Sequence, residues 1–333
     1  MFSQTAKILI ALLIAQIGLV ASLSSSSNQF EPFESAEKLV TLSLSELDSI
    51  FVEEKDKKAI ELRKAEGKWI LPELDNFPVS PEKLEKLQTG LFDQSQGWPV
   101  GTTLIAAKQF KVSDDEFVKK LKLMKGGVKA GTVYIGNSPG FKKLYVRTEG
   151  SDNTHAIEFG AHEVSTQTKD WIDRAILKLD KTKFTELKIG EKRIRPDGGQ
   201  FKVVSDNDEL VKNELANSVV TAFGNMGIVE YLGTEDKAEY NLDKPALIVQ
   251  IERSEGEPLQ YRFAKKTDDE GNYILKRSDL PFFFKVLTSA VDNAIKVRET
   301  EIKPKEEVAP QAANSEEPES GENSSSEETP ATE

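Results

Sequence analysis

The strongest constraint on this chain is an order of elements that occurs twice. Leu47–Glu54, Ala59–Lys64 and Lys68–Leu71 are short runs of strand character, separated by Lys55-Asp56-Lys57 and Glu66-Gly67. Pro72 and Pro78 end this meander. Ser80-Pro81 then reads as an N-cap followed by proline at the first helical position, and Leu84, Leu87 and Leu91 form one stripe of the helix. Phe117–Met124, Gly131–Ile135, Lys142–Arg147 and Thr154–Phe159 follow as strands, and Thr168 caps a helix bearing Trp171, Ile172, Ala175, Ile176 and Leu179.

The order returns after about 130 residues. Phe184–Ile189, Lys192–Arg195 and Phe201–Val204 form a second meander, with Phe201 placed like Trp69. A helix opens at Ser205–Asp208 and carries Leu210, Val211, Leu215, Val219, Val220 and Phe223. Ala246–Glu252, Leu259–Ala264, Asn272–Lys276 and Phe282–Val286 are strands, before a closing helix through Val297. The parallel is closest between Leu144–Phe159 and Tyr273–Val286.

The fold class expected from this pattern is α+β: two tandem copies of a β-meander, helix and antiparallel-strand unit, preceded by an N-terminal hydrophobic helix and followed by a disordered acidic tail. The boundaries are 1–23 for a signal peptide or membrane anchor, 24–38 for a linker, 39–180 and 181–298 for the two units, and 299–333 for the tail. Two unrelated α+β domains are the competing reading, because identity between the halves is low.

Charge separates body from tail. The net charge is −12, but residues 299–333 hold eleven Glu and two Lys, a net of −9. Residues 1–298 therefore carry 42 basic and 45 acidic side chains, a net of −3, which gives no sign of a nucleic-acid-binding face. The tail has no aromatic residue and cannot bury a core. Its Asn323-Ser324-Ser325 triplet is expected by chance in a Ser-rich stretch. The absence of cysteine excludes disulfides, thiolate metal sites and cysteine nucleophiles.

Ile8–Leu23 contains no charged residue and follows a single Lys at position 7. Sixteen helical residues span about 24 Å, short of a hydrocarbon core of about 30 Å, so the run lies between a signal-peptide core and a short anchor. Cleavage after Ser22 and retention as an anchor both stand. Glu31, Glu34 and Glu37 after the run suit a body outside the cytoplasm.

Candidate chemistry is sparse. His155 and His162, with Glu158 and Glu163, do not converge on a metal if Thr154–Phe159 is a strand, and both histidines are expected at the surface. Asp170 with Asp173, and Asp114, Asp115 and Glu116, suit helix-start and loop roles better than acid–base work. Gly136-Asn137-Ser138-Pro139-Gly140-Phe141 lacks both the nucleophile-elbow and the phosphate-loop pattern and reads as a tight hairpin loop. Trp69, Trp98 and Trp171 are expected as core anchors. Trp98-Pro99, between glycines on a loop, is the alternative as a binding loop, with Phe141 beside it as a candidate.

Gly67–Leu71, Val79–Leu84, Phe110–Phe117, Val133–Phe141, Tyr145-Val146-Arg147 and Asp170-Trp171-Ile172-Asp173 together resemble the bacterial domain-of-unknown-function family numbered forty-three forty. The resemblance covers roughly Leu44–Leu287 and is strongest between Trp69 and Leu177. It implies an exported protein with an N-terminal membrane segment and a duplicated α+β body, in a family partly linked to gliding-type auxiliary components of ABC export systems. It supplies no catalytic residue, because the matching positions are turn and core residues.

The function expected is a non-enzymatic interaction or accessory module of the cell envelope, with the body in the periplasm. Its partner would be another envelope protein, such as an ABC export component. No cofactor, metal or nucleic acid is expected. The alternative is a periplasmic glycan-binding protein or hydrolase using the groove between the two units, or a plain spacer.

Overall fold

The structure, a computed structural model, describes residues 37–204, 210–211, 213–265 and 271–300, together with Leu13 and Gln16. The first sheet contains β1 (Ser49–Glu54), β2 (Ile60–Ala65), β3 (Lys68–Leu71), β4 (Phe77–Pro78), β5 (Pro99–Gly101), β6 (Lys119–Lys125), β7 (Val128–Ile135), β8 (Leu144–Thr148) and β9 (Thr154–Ile157). All pairings are antiparallel, in the order β4-β3-β2-β1-β6-β7-β8-β9-β5.

The second sheet contains β10 (Phe184–Ile189), β11 (Lys192–Asp197), β12 (Gln200–Val204), β13 (Leu210–Val211), β14 (Ile228–Tyr231), β15 (Leu247–Arg253), β16 (Leu259–Ala264), β17 (Asn272–Arg277) and β18 (Phe283–Leu287). Its order is β13-β12-β11-β10-β15-β16-β17-β18-β14. Position for position this is the order of the first sheet, with β10 standing where β1 stands and β14 where β5 stands.

The α+β expectation is overturned, because the body is mostly β. Among the described residues of 37–300, regular helix is limited to α1 (Pro81–Leu87), α2 (Leu104–Gln109), α3 (Asn213–Gly224) and α4 (Thr288–Glu299), with a π turn at Gln88–Phe92 and several 3-10 turns. The helix expected from Thr168 to Leu179 does not form. Thr168–Asp170 is one 3-10 turn, Ile172 then makes a single bridge beside the end of β4, and 174–177 is a turn. There Val79 bridges Ile172, the Ser80 amide donates to the Trp171 carbonyl at 2.8 Å, and the Asp173 amide donates to the Pro78 carbonyl at 3.0 Å. Those backbone bonds stand where helical ones were expected, and the apolar stripe that suggested a helix packs from a bridge and a turn instead, with Trp171 fully buried. Leu210 and Val211, read as helix, pair with β12 as β13.

The expected N-terminal helix lies outside the described residues except for Leu13 and Gln16, and so does the expected tail beyond Thr300. Among the described residues no helix is long and apolar enough to cross a membrane.

Alternation of apolar and polar residues sends one face of each sheet into a shared core. Ile50, Val52, Leu62, Leu121, Leu123, Val133, Ile135 and Val146 come from the first sheet, and Leu187, Ile194, Val249, Ile251, Tyr261, Leu275 and Phe284 from the second. The opposite face of β1 and β6 carries charge, with Glu53 bound to Lys120 at 2.8 Å and to Lys122 at 3.1 Å. The halves meet where β4 faces β14 and β18. The Phe77 ring lies 4.7 Å from Phe282 and 5.0 Å from Tyr231, whose hydroxyl donates to Asp75 at 2.7 Å.

Candidate functional site

Two surfaces stand out, and the first surrounds β5, the outer strand of the first sheet. Trp98, Leu104, Ile105 and Phe141 are exposed, Trp98 at 71%, Ile105 at 82% and Phe141 at 89%, and Val100 is nearly half exposed. Trp98 is therefore no core anchor, whereas Trp171 is one and Trp69 packs half-buried at the core margin. Helix α2 turns its large apolar residues outward. Thr103 caps it by accepting from the Ala106 amide at 3.2 Å, and the small Ala106 and Ala107 face inward, which lets the helix lie close to the sheet. A Cβ on Gly101 would come within 2.7 Å of the Ala106 Cβ.

The loop carrying Phe141 is fixed to the end of α2. Phe110 stacks on Tyr145 at 4.2 Å, and its carbonyl accepts from the Asn137 amide at 3.0 Å. Gly136 is required there, because any Cβ would collide with that same carbonyl oxygen. The sequence candidates Trp98, Pro99 and Phe141 thus sit on elements that touch one another through α2. Sequence reasoning missed Val100, Leu104 and Ile105, along with the charge of their surroundings. Residues 94–111 and 136–143 contain four Lys and no Asp or Glu, a signal visible in the sequence.

Two buried groups support this surface from beneath. Arg147 on β8 donates to the Val112 carbonyl at 2.7 Å and the Ser151 carbonyl at 2.9 Å, pairs with Asp114, and lies 4.6 Å over the Tyr134 ring. The guanidinium holds the Asp114 carboxyl below its ordinary range, and burial together with Asp114 pushes the Tyr134 hydroxyl up to about 12. Asp115 accepts from Ser113 at 2.8 Å and pairs with Lys108 at 3.0 Å, so this acidic group is structural.

His155, opposite Pro99 in the sheet, is buried at 4% exposure rather than lying at the surface, and its Nδ1 has no hydrogen-bond partner. His162 is exposed and pairs with Glu163 at 3.0 Å. Among the described residues no group of three His, Cys, Asp or Glu is placed to hold a metal.

Burial lowers the His155 pKa below 6.5 and outweighs the opposing pull of the Gln96 and Gly97 backbone on the charged form. The unfolded chain takes up this proton more readily, so the contribution of His155 is present in full above pH 6.5 and is lost as pH falls through the lowered value. The melting temperature is expected to fall between pH 7 and pH 5, with a slope of at most about 1.4 kcal/mol per pH unit for one proton, and to fall less in His155→Gln. Parallel curves for the two proteins would remove His155 as the cause.

The second surface is a cleft of about 630 Å³ at the junction of the halves. It is lined by Ser80, Pro81, Glu82 and Lys83, by Asp170, Ile172, Asp173, Arg174, Ala175 and Lys178, and by Gly227. Most of its charged groups have internal partners. Lys83 pairs with Glu163 at 3.0 Å, Asp170 accepts from Ser165 at 2.6 Å, Asp173 accepts from the Ala175 amide at 2.9 Å, and Arg174 donates to the Ile228 carbonyl at 3.0 Å. Among the described residues no aromatic side chain lines the cleft, and Trp98 lies on the other surface.

Architecture and surfaces together define a class: a mostly antiparallel β protein of two like-ordered sheets with an exposed apolar edge on one and a charged cleft where they join. The chain belongs to the family described as Domain of unknown function (DUF4340), whose profile matches residues 69–245, from β3 of the first sheet to just before β15 of the second. No curated protein and no solved structure matches the chain.

Proposed function

We propose that the protein is a non-enzymatic interaction module of the bacterial cell envelope, held at the inner membrane by its N-terminal apolar run, with the body in the periplasm. In this reading the two sheets are copies of one unit, and the cleft between them receives a segment of an envelope protein, such as a component of an ABC-type export system. The observation that carries it is the state of the cleft's charges. Asp170, Asp173, Lys83 and Arg174 are engaged in holding the fold, which suits a preformed recognition surface better than an acid–base pair. A lining of mixed sign favours a polypeptide partner. The alternative, glycan binding or hydrolysis in the groove, is disfavoured because none of the described residues lining it offers an aromatic ring for a sugar to stack on.

Crosslinking in intact membranes followed by affinity capture of the full chain tests this proposal. Recovery of an envelope protein is expected, with about a ten-fold loss, or roughly 1.4 kcal/mol, in a Glu82→Lys/Lys178→Glu variant whose melting temperature is unchanged. Equal recovery from wild type and variant would remove the cleft as the contact surface.

A further inference from the structure

The exposed surface around β5 has a second property, its position relative to the N-terminal end of the body. Leu39 donates its amide to the Gln94 carbonyl at 2.8 Å, Lys38 bridges Ser95, and the Gln96 amide donates to the Glu37 carbonyl at 3.0 Å. The chain therefore reaches the body two residues from Trp98. Thirteen residues, Ser24–Ala36, connect this point to the uncharged run Ile8–Leu23. Fully extended, thirteen residues span at most about 45 Å. If the run lies in a membrane, the surface bearing Trp98 stays within that distance of the lipid, so even weak docking is favoured by the tether.

The chemistry of the surface suits a lipid headgroup layer. Trp98, Leu104, Ile105 and Phe141 project from β5, α2 and the 136–143 loop, with α2 and Phe110 at its end touching both of the others; Lys108 in these segments is neutralised by Asp115, which leaves Lys111, Lys142 and Lys143 as their basic groups. Lys111, Lys142 and Lys143 are exposed beside the apolar group, and Lys142 stands 5.4 Å over the Phe141 ring. Aromatic and aliphatic tips ringed by lysine are the composition that seats at the headgroup–acyl boundary, with each lysine contributing about 1 kcal/mol on anionic lipid.

We propose that this surface docks onto the bilayer leaflet to which the chain is tethered. Trp98, Leu104, Ile105 and Phe141 enter the interface, and Lys111, Lys142 and Lys143 meet anionic headgroups. The proposal rests on the membrane tether of the preceding section but not on the cleft. Docking fixes the orientation of the body on the membrane and leaves the cleft as a separate surface.

Trp98 itself is the probe. The full chain is reconstituted into vesicles of phosphatidylethanolamine with a minority of phosphatidylglycerol, with or without bromine in the acyl chains, and the Trp98 signal is taken as the difference between wild type and Trp98→Phe. In brominated vesicles that signal is expected to fall by about half, as for a ring seated roughly 5–10 Å into the boundary. The quenching should disappear in Ile105→Glu/Phe141→Glu, weaken in Lys142→Glu/Lys143→Glu, and persist in the Glu82→Lys/Lys178→Glu cleft variant. A chain that floats with the vesicles while Trp98 emission is indifferent to bromine overturns the docking alone. So does a Trp98 that is shielded from aqueous iodide only when an envelope protein is added, which would make this surface a protein contact. A chain that does not float with the vesicles overturns both the docking and the tether.

Discussion

Replacing Phe77 by alanine is expected to destabilise the protein by about 3–5 kcal/mol, the range for removing a fully buried aromatic ring. Phe77 has no exposed surface and is the first-sheet member of a ring cluster made otherwise by Tyr231, Phe282 and Phe284. The rings meet edge-on or tilted, at centroid separations of 4.7–6.1 Å, and such geometry adds about 0.5–1.5 kcal/mol per pair beyond the area buried. Because Phe77 belongs to β4 and its partners to β14 and to β18 with the residue before it, the cavity would open between the sheets rather than within one. Urea unfolding followed by far-ultraviolet circular dichroism should show a lower midpoint and a broader transition as the halves lose coupling. Phe77→Leu should recover most of the loss. A Phe77→Ala midpoint within about 1 kcal/mol of wild type would mean that the ring cluster does not join the halves.

Arg277→Ala is expected to cost about 2–4 kcal/mol, since truncation leaves buried acceptors without a donor. Arg277 is 6% exposed at the end of β17. It donates to the Ile176 carbonyl at 2.6 Å and to Asp279 at 2.6 and 3.0 Å, and it lies beside Tyr261, whose hydroxyl reaches the Leu177 carbonyl at 3.3 Å. Two carbonyls of the segment joining the halves are thus held by two side chains of the second sheet. Asp279 is 40% exposed, so its share is screened, and Asp279→Ala should cost only about 0–1 kcal/mol. Equal losses for the two variants would show that the ion pair dominates and that the grip on Ile176 is incidental. Limited proteolysis should also cut the 176–180 region of Arg277→Ala sooner than that of wild type.

Most strands were legible because period-two alternation and turn residues act locally. Phe184–Ile189 and Leu259–Ala264 match their observed limits. The strands missed were β4, β5, β13 and β14, the outermost of each sheet. They are two to four residues long and exist only because a neighbouring strand supplies their hydrogen bonds, so no periodicity can announce them. The segment after Thr168 failed for a related reason, since its apolar spacing fits a helix until β4 offers its backbone as a partner.

The site divides in the same way. Trp98, Pro99 and Phe141 could be singled out because an aromatic next to glycine or proline marks a loop. Leu104 and Ile105 carried no such mark, and their outward orientation follows from Ala106 and Ala107 taking the inward face. His155 shows the reverse. It reads as a surface residue, yet the backbone of Gln96 and Gly97 covers it.

What the sequence determined by itself is therefore the set of central strands, the partition of charge between residues 1–298 and 299–333, and the family. These depend on neighbours within a few residues or on composition. Only the tertiary structure decided the outermost strands, the loss of one expected helix, the joint of rings at Phe77 and the apolar surface around β5. Each depends on groups far apart in the chain, and which of them meet is decided by the competition for backbone partners and buried space in the folded state.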